Sequence, residues 1–413
     1  MRALHADALV AGDADPIVDG AVVVDAAGVI ADVGPAAEVL PRHHGLVVER
    51  IRGVVLPGLV NAHTHLELSA LRGQIPGGAG FVPWLDHLVT TRAEEQPQDD
   101  ADAIDRAIDE LDAFGIAAVG EVTNSLKAVR ALAKRSFAGW VFHEVFGLDR
   151  TALEQRVAEL PNVVRDVLGD WPSKTELRYA PSPHTLYTTH ASVVKRLLAE
   201  ARDRGHRITV HLAEHPAERR FLQTGDGPIG DWYVKRLRLS RDSFEWPRAA
   251  PVEVADGLGM LAPDVLCVHL TDARPEELDL LARRGASVVF CPRSNLHIES
   301  RLPPLLAARA AGLCPALGTD SLASNSSLDV LSEARALSLR FPGVSAKELL
   351  RMATWEGARA LGRPDLGRLS IGARPGLVLV ESVLANGTDP CAHVLAHVSA
   401  PRRWIVRRNS GLQ

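Results

Sequence analysis

The stretch Leu56-Pro-Gly-Leu-Val-Asn-Ala-His-Thr-His-Leu-Glu-Leu-Ser69 decides the fold. Leu56 to Ala62 is a short apolar run, which Pro57 and Gly58 admit, and it reads as a buried strand. The strand ends in His63-Thr-His65. Side chains two apart on a strand point the same way, so both imidazoles can face one metal ion. Such a pair alone is a weak signal, because buried histidines with satisfied hydrogen bonds are common. Its weight depends on how the other strands end.

From this stretch onward, strand-like runs alternate with helix-like ones. The runs are Val55 to His63, Ile116 to Thr123, Trp140 to Phe146, Leu177 to Pro181, Arg207 to His211, Val265 to His269, Ala286 to Cys291 and Pro315 to Asp320. Between them, stretches such as Ala101 to Phe114, Ala191 to Arg204 and Pro275 to Arg284 carry apolar residues at helical spacing among charged ones. Eight alternating units predict an α/β fold, a parallel (β/α)8 TIM-like barrel over residues 55–362. In such a barrel the chemistry gathers at the C-terminal ends of the strands.

Residues 1–54 have a different texture: short alternating segments such as Ala21 to Asp25 and Val29 to Val33, separated by Gly- and Asp-rich turns. They predict a small antiparallel sheet. Residues 363–413 return to that texture with Gly376 to Glu381 and Arg403 to Arg407. The two ends are expected to meet in one small β-sandwich.

Composition narrows the function classes. A chain of 413 residues with net charge −5 and no basic run gives no sign of a nucleic-acid surface. The four cysteines, Cys267, Cys291, Cys314 and Cys391, lack C-x-x-C spacing and read as reduced, mostly buried residues. No signal peptide or membrane span is recognisable, so the cytoplasm is the expected location. A small molecule is the expected partner, and homo-oligomerisation is left open.

The strand ends repeat the opening pattern. Strand five, Arg207-Ile-Thr-Val-His-Leu-Ala-Glu214, offers His211 and, three residues on, Glu214; strand six ends at His269 and strand eight at Asp320. Three imidazoles and a carboxylate around an open position suit a catalytic zinc, and Fe²⁺ would accept the same donors. The string His211-Leu-Ala-Glu-His215 also spells a metalloprotease motif that works only on a helix. Here a β-branched strand precedes it and Pro216 follows, so it reads as a strand end plus a loop, with His215 incidental.

Leu56 to His65, the His211/Glu214 pair, His269, Cys291-Pro-Arg-Ser-Asn295, Leu317 to Arg335 and Ala353 to Gly362 together resemble the amidohydrolase superfamily. The pattern is most similar to its aromatic-amine deaminase branch, which includes S-adenosylhomocysteine, guanine and aminodeoxyfutalosine deaminases. The resemblance implies that His63, His65, His211 and Asp320 bind one metal, with Glu214, His269 and Asp320 catalytic. Binuclear members carry a carboxylated lysine at the end of strand four; Glu176 to His184 offers none, so one metal is expected. His184 matches the substrate-side histidine of similar deaminases.

In that scheme Asp320 takes a proton from the metal's water, His269 orients it, and Glu214 shuttles a proton to the substrate ring and helps ammonia leave. For the substrate, the string His-Thr-His-Leu-Glu-Leu-Ser is similar to the aminodeoxyfutalosine deaminase group of menaquinone biosynthesis. An adenosine-type compound is the first choice, with Glu67 accepting ribose hydroxyls. The Gly77-Gly-Ala-Gly80 segment and Trp84 would form a lid over the base. The alternative is another amidohydrolase reaction, on a cyclic amide, a guanine or pterin base, or a chloro-triazine. A non-catalytic scaffold is disfavoured, because none of the four ligands is missing.

Overall fold

The computed structural model describes residues 1–93, 97–236, 238–239 and 246–408. In chain order the strands are β1 (Arg2–Leu9), β2 (Ile17–Val24), β3 (Ile30–Pro35), β4 (Val48–Pro57), β5 (Leu59–His65), β6 (Ile116–Thr123), β7 (Ala138–Val145), β8 (Glu176–Pro183), β9 (Ile208–Leu212), β10 (Val265–His269), β11 (Ser287–Phe290), β12 (Ala316–Leu317), β13 (Asp320–Ser321), β14 (Leu377–Val380) and β15 (Arg402–Val406). The run expected as one strand from Val55 to His63 is thus split between β4 and β5. Gly58 is the reason: a Cβ there would lie 2.5 Å from Pro375 O and 2.6 Å from Ala117 Cβ. Only glycine lets the chain pass there from one sheet to the next.

Nine strands form two parallel sheets, in the orders β12-β11-β10-β9 and β13-β5-β6-β7-β8. The sheets touch at both seams. Thr185 bridges to His211, while Gly318 N donates to Phe290 O and Thr319 N to His63 O. The result is a TIM-barrel-like α/β fold with helices between successive strands, except between β12 and β13. The eighth expected strand is also broken, into β12 and β13. Asp320 has φ 57°, and the chain crosses at Gly318, where a Cβ would stand 2.7 Å from His63 Cβ.

Val60, Ala62, Trp140, Phe142, Leu266 and Val268 fill the interior below the strand ends. The helices cover the outside through residues such as Ile108, Leu111, Val194 and Leu197. Val60 and Ala62 point inward, yet so do His63 and His65. The one-residue slip this requires falls between Asn61 and Thr64 in the pairing of β5 with β6. Such irregularities re-aim side chains beside active sites.

The chain ends share a six-stranded sheet, β15-β14-β4-β1-β2-β3. It is mixed, where an antiparallel sheet was expected from residues 1–54. The helix Ala36–Arg42 carries the chain across after β3, so β4 lies parallel to β1. All four cysteines are free, three of them buried. No helix among the described residues is long and apolar enough to cross a membrane.

Candidate functional site

Three strands bring the expected metal ligands together. β5 ends in His63 and His65, β9 carries His211, and β13 opens with Asp320. All four side chains are buried. His65 Nε2 lies 3.2 Å from His63 Nε2 and 3.3 Å from His211 Nε2. Asp320 Oδ1 lies 3.7 Å and 3.6 Å from the His63 and His65 Nε2 atoms. Zinc–nitrogen bonds of about 2.0–2.1 Å in a tetrahedron separate ligand nitrogens by about 3.3–3.4 Å. These spacings suit one ion at the centre.

The electrostatics agree. Burial pushes His63 down to about 3 and holds His65 well below its ordinary value. Both rings are therefore neutral near pH 7, with lone pairs converging on one point. Converging lone pairs repel unless a cation stands between them, so the donor set fits a divalent metal. Burial alone would push the Asp320 carboxyl up, but His63 and the neighbouring imidazoles hold it well below the usual range.

Further contacts orient these ligands. His211 Nδ1 contacts His184 O at 2.9 Å, which leaves Nε2 facing the cluster. Asp320 Oδ2 accepts hydrogen bonds from Ser294 Oγ at 2.6 Å and Ser324 Oγ at 3.0 Å, so Oδ1 is the oxygen turned to the imidazoles. Asp320 and His269 both sit in the left-handed region, at φ 57° and 75°. Non-glycine residues held there cost about 1–3 kcal/mol each and cluster at functional sites.

His269 and Glu214 are neighbours, with Nε2 and Oε1 3.8 Å apart. The Asn295 amide nitrogen lies 3.3 Å from His269 Nδ1. With that amide donating, the ring proton sits on Nε2 and faces Glu214. Burial, then the charges of Asp320, Glu218 and Glu299, raise the Glu214 carboxyl well above its ordinary value. Glu218 fixes the backbone here: its carboxylate accepts from Ala213 N at 3.1 Å and Glu214 N at 2.8 Å.

The metalloprotease-like string is a strand end plus a loop, with Pro216 opening the helix Pro216–Thr224. His215, however, is not incidental. Its Nδ1 accepts from Glu218 N and caps that helix, and its ring stacks on Phe81 with centroids 3.7 Å apart. A residue flanking the general-acid candidate is thereby locked to the roof above it.

The metal cluster forms the floor of a cavity of about 430 Å³, within the range of small-molecule sites. Trp84 and His184 line it, as does Glu67. Two helices form its roof, Phe81–Arg92 and Pro228–Arg236, through Val82, Trp84, Leu85, Ile229, Trp232 and Tyr233. The glycine-rich segment expected as a lid is fastened at its base: Gly78 N donates to His297 O at 2.8 Å and Phe81 N to Glu299 Oε1 at 3.3 Å. The Glu67 carboxylate already accepts from Arg92, Thr123 Oγ1, Asn124 N and Ser125 N. A ribose hydroxyl would compete with all four.

Sequence reasoning missed Glu144, whose side chain lines the cavity beside His184 and His211. Burial pushes its carboxyl up to about 7. The signal was present: a charged residue in an apolar run, one position before the end of β7, where the other strands carry their site residues. Ser294 and Asn295 lay inside a motif already singled out, Cys291 to Asn295, but without a role.

Residues 54–400 match the Amidohydrolase family. Over 373 residues the chain is 31% identical to an aminodeoxyfutalosine deaminase of Deinococcus radiodurans, covering 87% of this chain and 86% of that one. It is 27% identical over 402 residues to a 5-methylthioadenosine/S-adenosylhomocysteine deaminase of Nitratidesulfovibrio vulgaris (strain Hildenborough), covering 94% and 84% of the two. Its fold matches the crystal structure of Helicobacter pylori aminofutalosine deaminase in complex with methylthio-coformycin, with a TM-score of 0.87, 23% identity and 99% of each chain covered.

Proposed function

The chain belongs to the amidohydrolase family, and we propose that it is a zinc-dependent deaminase of 5′-substituted adenosines, with 6-aminodeoxyfutalosine as the first candidate substrate. The observation that carries this reading is a buried carboxyl, Glu214, held well above its ordinary pKa beside three neutral imidazoles, His63, His65 and His211, and the ionised Asp320, at the floor of a largely apolar cavity. An aromatic amidine resists attack until its ring nitrogen is protonated, and Glu214 is the proton carrier within reach. The deaminase activities of the relatives named above support the substrate class. Menaquinone-precursor metabolism follows if the first candidate is right.

When bound, the divalent ion supplies a water acidified enough to attack at neutral pH. Asp320 Oδ1, held in place by Ser294 and Ser324 acting on Oδ2, accepts the proton of that water. His269, its proton on Nε2, orients the attacking oxygen. Glu214 gives its proton to the ring nitrogen and recovers one from the attacking hydroxyl as the carbonyl forms, while the proton held by Asp320 passes to the amino group, which leaves as ammonia. General acid–base help of this kind contributes ~10²–10⁴ in rate.

The same reading includes one metal per chain, since β8 (Glu176–Pro183) has no lysine at its C-terminal end. It also includes closure of the two parallel sheets into one (β/α)8 barrel over residues 55–362. Segments 1–54 and 363–413 then form the second, β-sandwich domain. Pairing across both seams supports the closure.

The test is ammonia release by the zinc-loaded protein from 6-aminodeoxyfutalosine, 5′-methylthioadenosine, S-adenosylhomocysteine, adenosine, guanine and pterins. The highest kcat/KM is expected for a 5′-substituted adenosine. Faster turnover of guanine or a pterin, or hydrolysis of a chloro-triazine with no ammonia from any nucleoside, would overturn the reading.

A further inference from the structure

Besides Glu214 and Asp320, two carboxylates line the described part of the cavity: Glu67 and Glu144. They differ in how their oxygens are used. Glu67 accepts from four donors and is tied to Arg92. Glu144 is nearly empty-handed. Its Oε1 is buried with no hydrogen-bond partner, and Oε2 has a single long contact, 3.4 Å from Asn124 Nδ2.

The nearest other donors do not fill the gap. His211 Nδ1 stands 3.6 Å from Oε1 and already contacts His184 O. His184 Nε2 is 4.0 Å away. The carboxyl is nine-tenths buried, with its side chain only 9% exposed. A buried acceptor without a donor is unfavourable, and in native proteins such a group has a specific reason, among them a bound water or ion and a role at a functional site.

Position adds a second argument. Glu144 lies on the Nδ1 side of the His211 ring, away from the metal-facing Nε2. A purine whose amino carbon sits at the metal projects its sugar outward by the width of the ring system. Glu144 lines the same cavity, so the projecting sugar shares that space with its carboxyl.

We propose that Glu144 is the hydroxyl-binding residue of this cavity, its carboxyl accepting hydrogen bonds from the ribose hydroxyls of a nucleoside substrate. This rests on the nucleoside-deaminase reading above. It assigns the ribose contact to β7, whereas the sequence pointed to Glu67.

The experiment compares 5′-methylthioadenosine with its 2′,3′-dideoxy analogue, on zinc-loaded wild type, Glu144→Leu and Glu144→Gln. A hydrogen bond to a carboxyl oxygen is worth about tenfold in affinity. Glu144→Leu should therefore raise KM for the ribonucleoside about tenfold or more, with kcat within about threefold. It should leave kcat/KM for the dideoxy analogue within about threefold of wild type. Glu144→Gln keeps one acceptor oxygen and should fall between. Zinc content should stay at the wild-type level in both variants.

Equal losses on the two nucleosides would overturn the proposal and make Glu144 a mere support for His184 or His211. If Glu144→Leu does not fold, the Gln variant decides: its loss should be larger on the ribonucleoside, and equal losses again refute the assignment. Wild-type protein that deaminates neither nucleoside would remove the nucleoside reading, and this inference with it. An active wild type without the differential effect removes this inference alone.

Discussion

On the floor of the cavity, His63, His65, His211 and Asp320 sit at strand ends, and the pairing of neighbouring strands fixes where each one points. On the roof, Trp84, Leu85 and Trp232 sit on two helices that meet through side chains half exposed to solvent. The floor is buried, strained and cross-braced: Ser294 and Ser324 on Asp320, Asn295 on His269, Glu218 under Glu214. The roof is an apolar surface with few polar constraints. On the proposed function, reaction and selection fall to different parts of the chain. Floor changes should abolish chemistry, whereas roof changes should shift substrate binding and leave the metal alone.

The largest effect is expected from the ligands. His63→Ala or Asp320→Ala should lose both metal and activity, because three remaining donors hold the ion loosely and no longer centre it. Metal content by elemental analysis, with ammonia release on the same sample, checks this. One metal per chain in wild type is part of the expectation; two tightly held equivalents would break the single-ion floor.

Next comes Glu214→Gln. Gln keeps the size of Glu but cannot give up and retake a proton. Turnover should fall ~10²-fold or more while metal content stays unchanged. Loss of metal would turn Glu214 into a ligand. Near-normal turnover with full metal would sink the proton-shuttle mechanism.

The floor was legible in the sequence and the roof largely was not, for a physical reason. A strand end leaves a local mark: an apolar run stopping at a histidine or aspartate, as at His63, His211, His269 and Asp320. Repetition of that mark at four of the eight alternating runs pointed to both the fold class and the cluster. The breaks in that pattern were not visible. Splitting β4 from β5 at Gly58, and β12 from β13 at Gly318, depends on close approaches to Pro375, Ala117 and His63, residues distant in sequence. His215 looked incidental because its partner, Phe81, lies more than a hundred positions away. Trp84 could be named, but the pairing of its helix with the second roof helix, through Asp86 and Thr90, could not, since helix-to-helix contact is set by tertiary packing.

Phe81→Ala probes the point where floor and roof touch. Phe81 is buried against His215, next to Glu214. Removing the ring loosens the roof helix Phe81–Arg92 at its first turn and frees His215. About a tenfold loss in kcat/KM is expected, with KM and kcat worsening together as for residues that govern closure. Metal content should not change. Depletion of metal in this variant would show that the two regions are not separate.

The smallest effect is expected where the two roof helices meet at the surface. Asp86 accepts from Trp232 Nε1 at 3.2 Å and stands 3.5 Å from Arg236 Nε. Its side chain is 52% exposed and that of Arg236 46%, so water competes for both contacts and salt screens the charge pair. Exposed pairs of this kind are worth about 0–1 kcal/mol. The apolar contacts of Val82, Leu85 and Ile229 do not depend on them. Asp86→Ala should therefore change kcat/KM by less than about threefold, with what change there is diminishing between low salt and 0.5 M NaCl (about the concentration at which screening acts within one contact distance). A loss of tenfold or more, concentrated in kcat and persisting at high salt, would mean that the helices are latched as a gate. The roof would then be part of the reaction machinery, and the division between floor and roof would fail at its weakest contact.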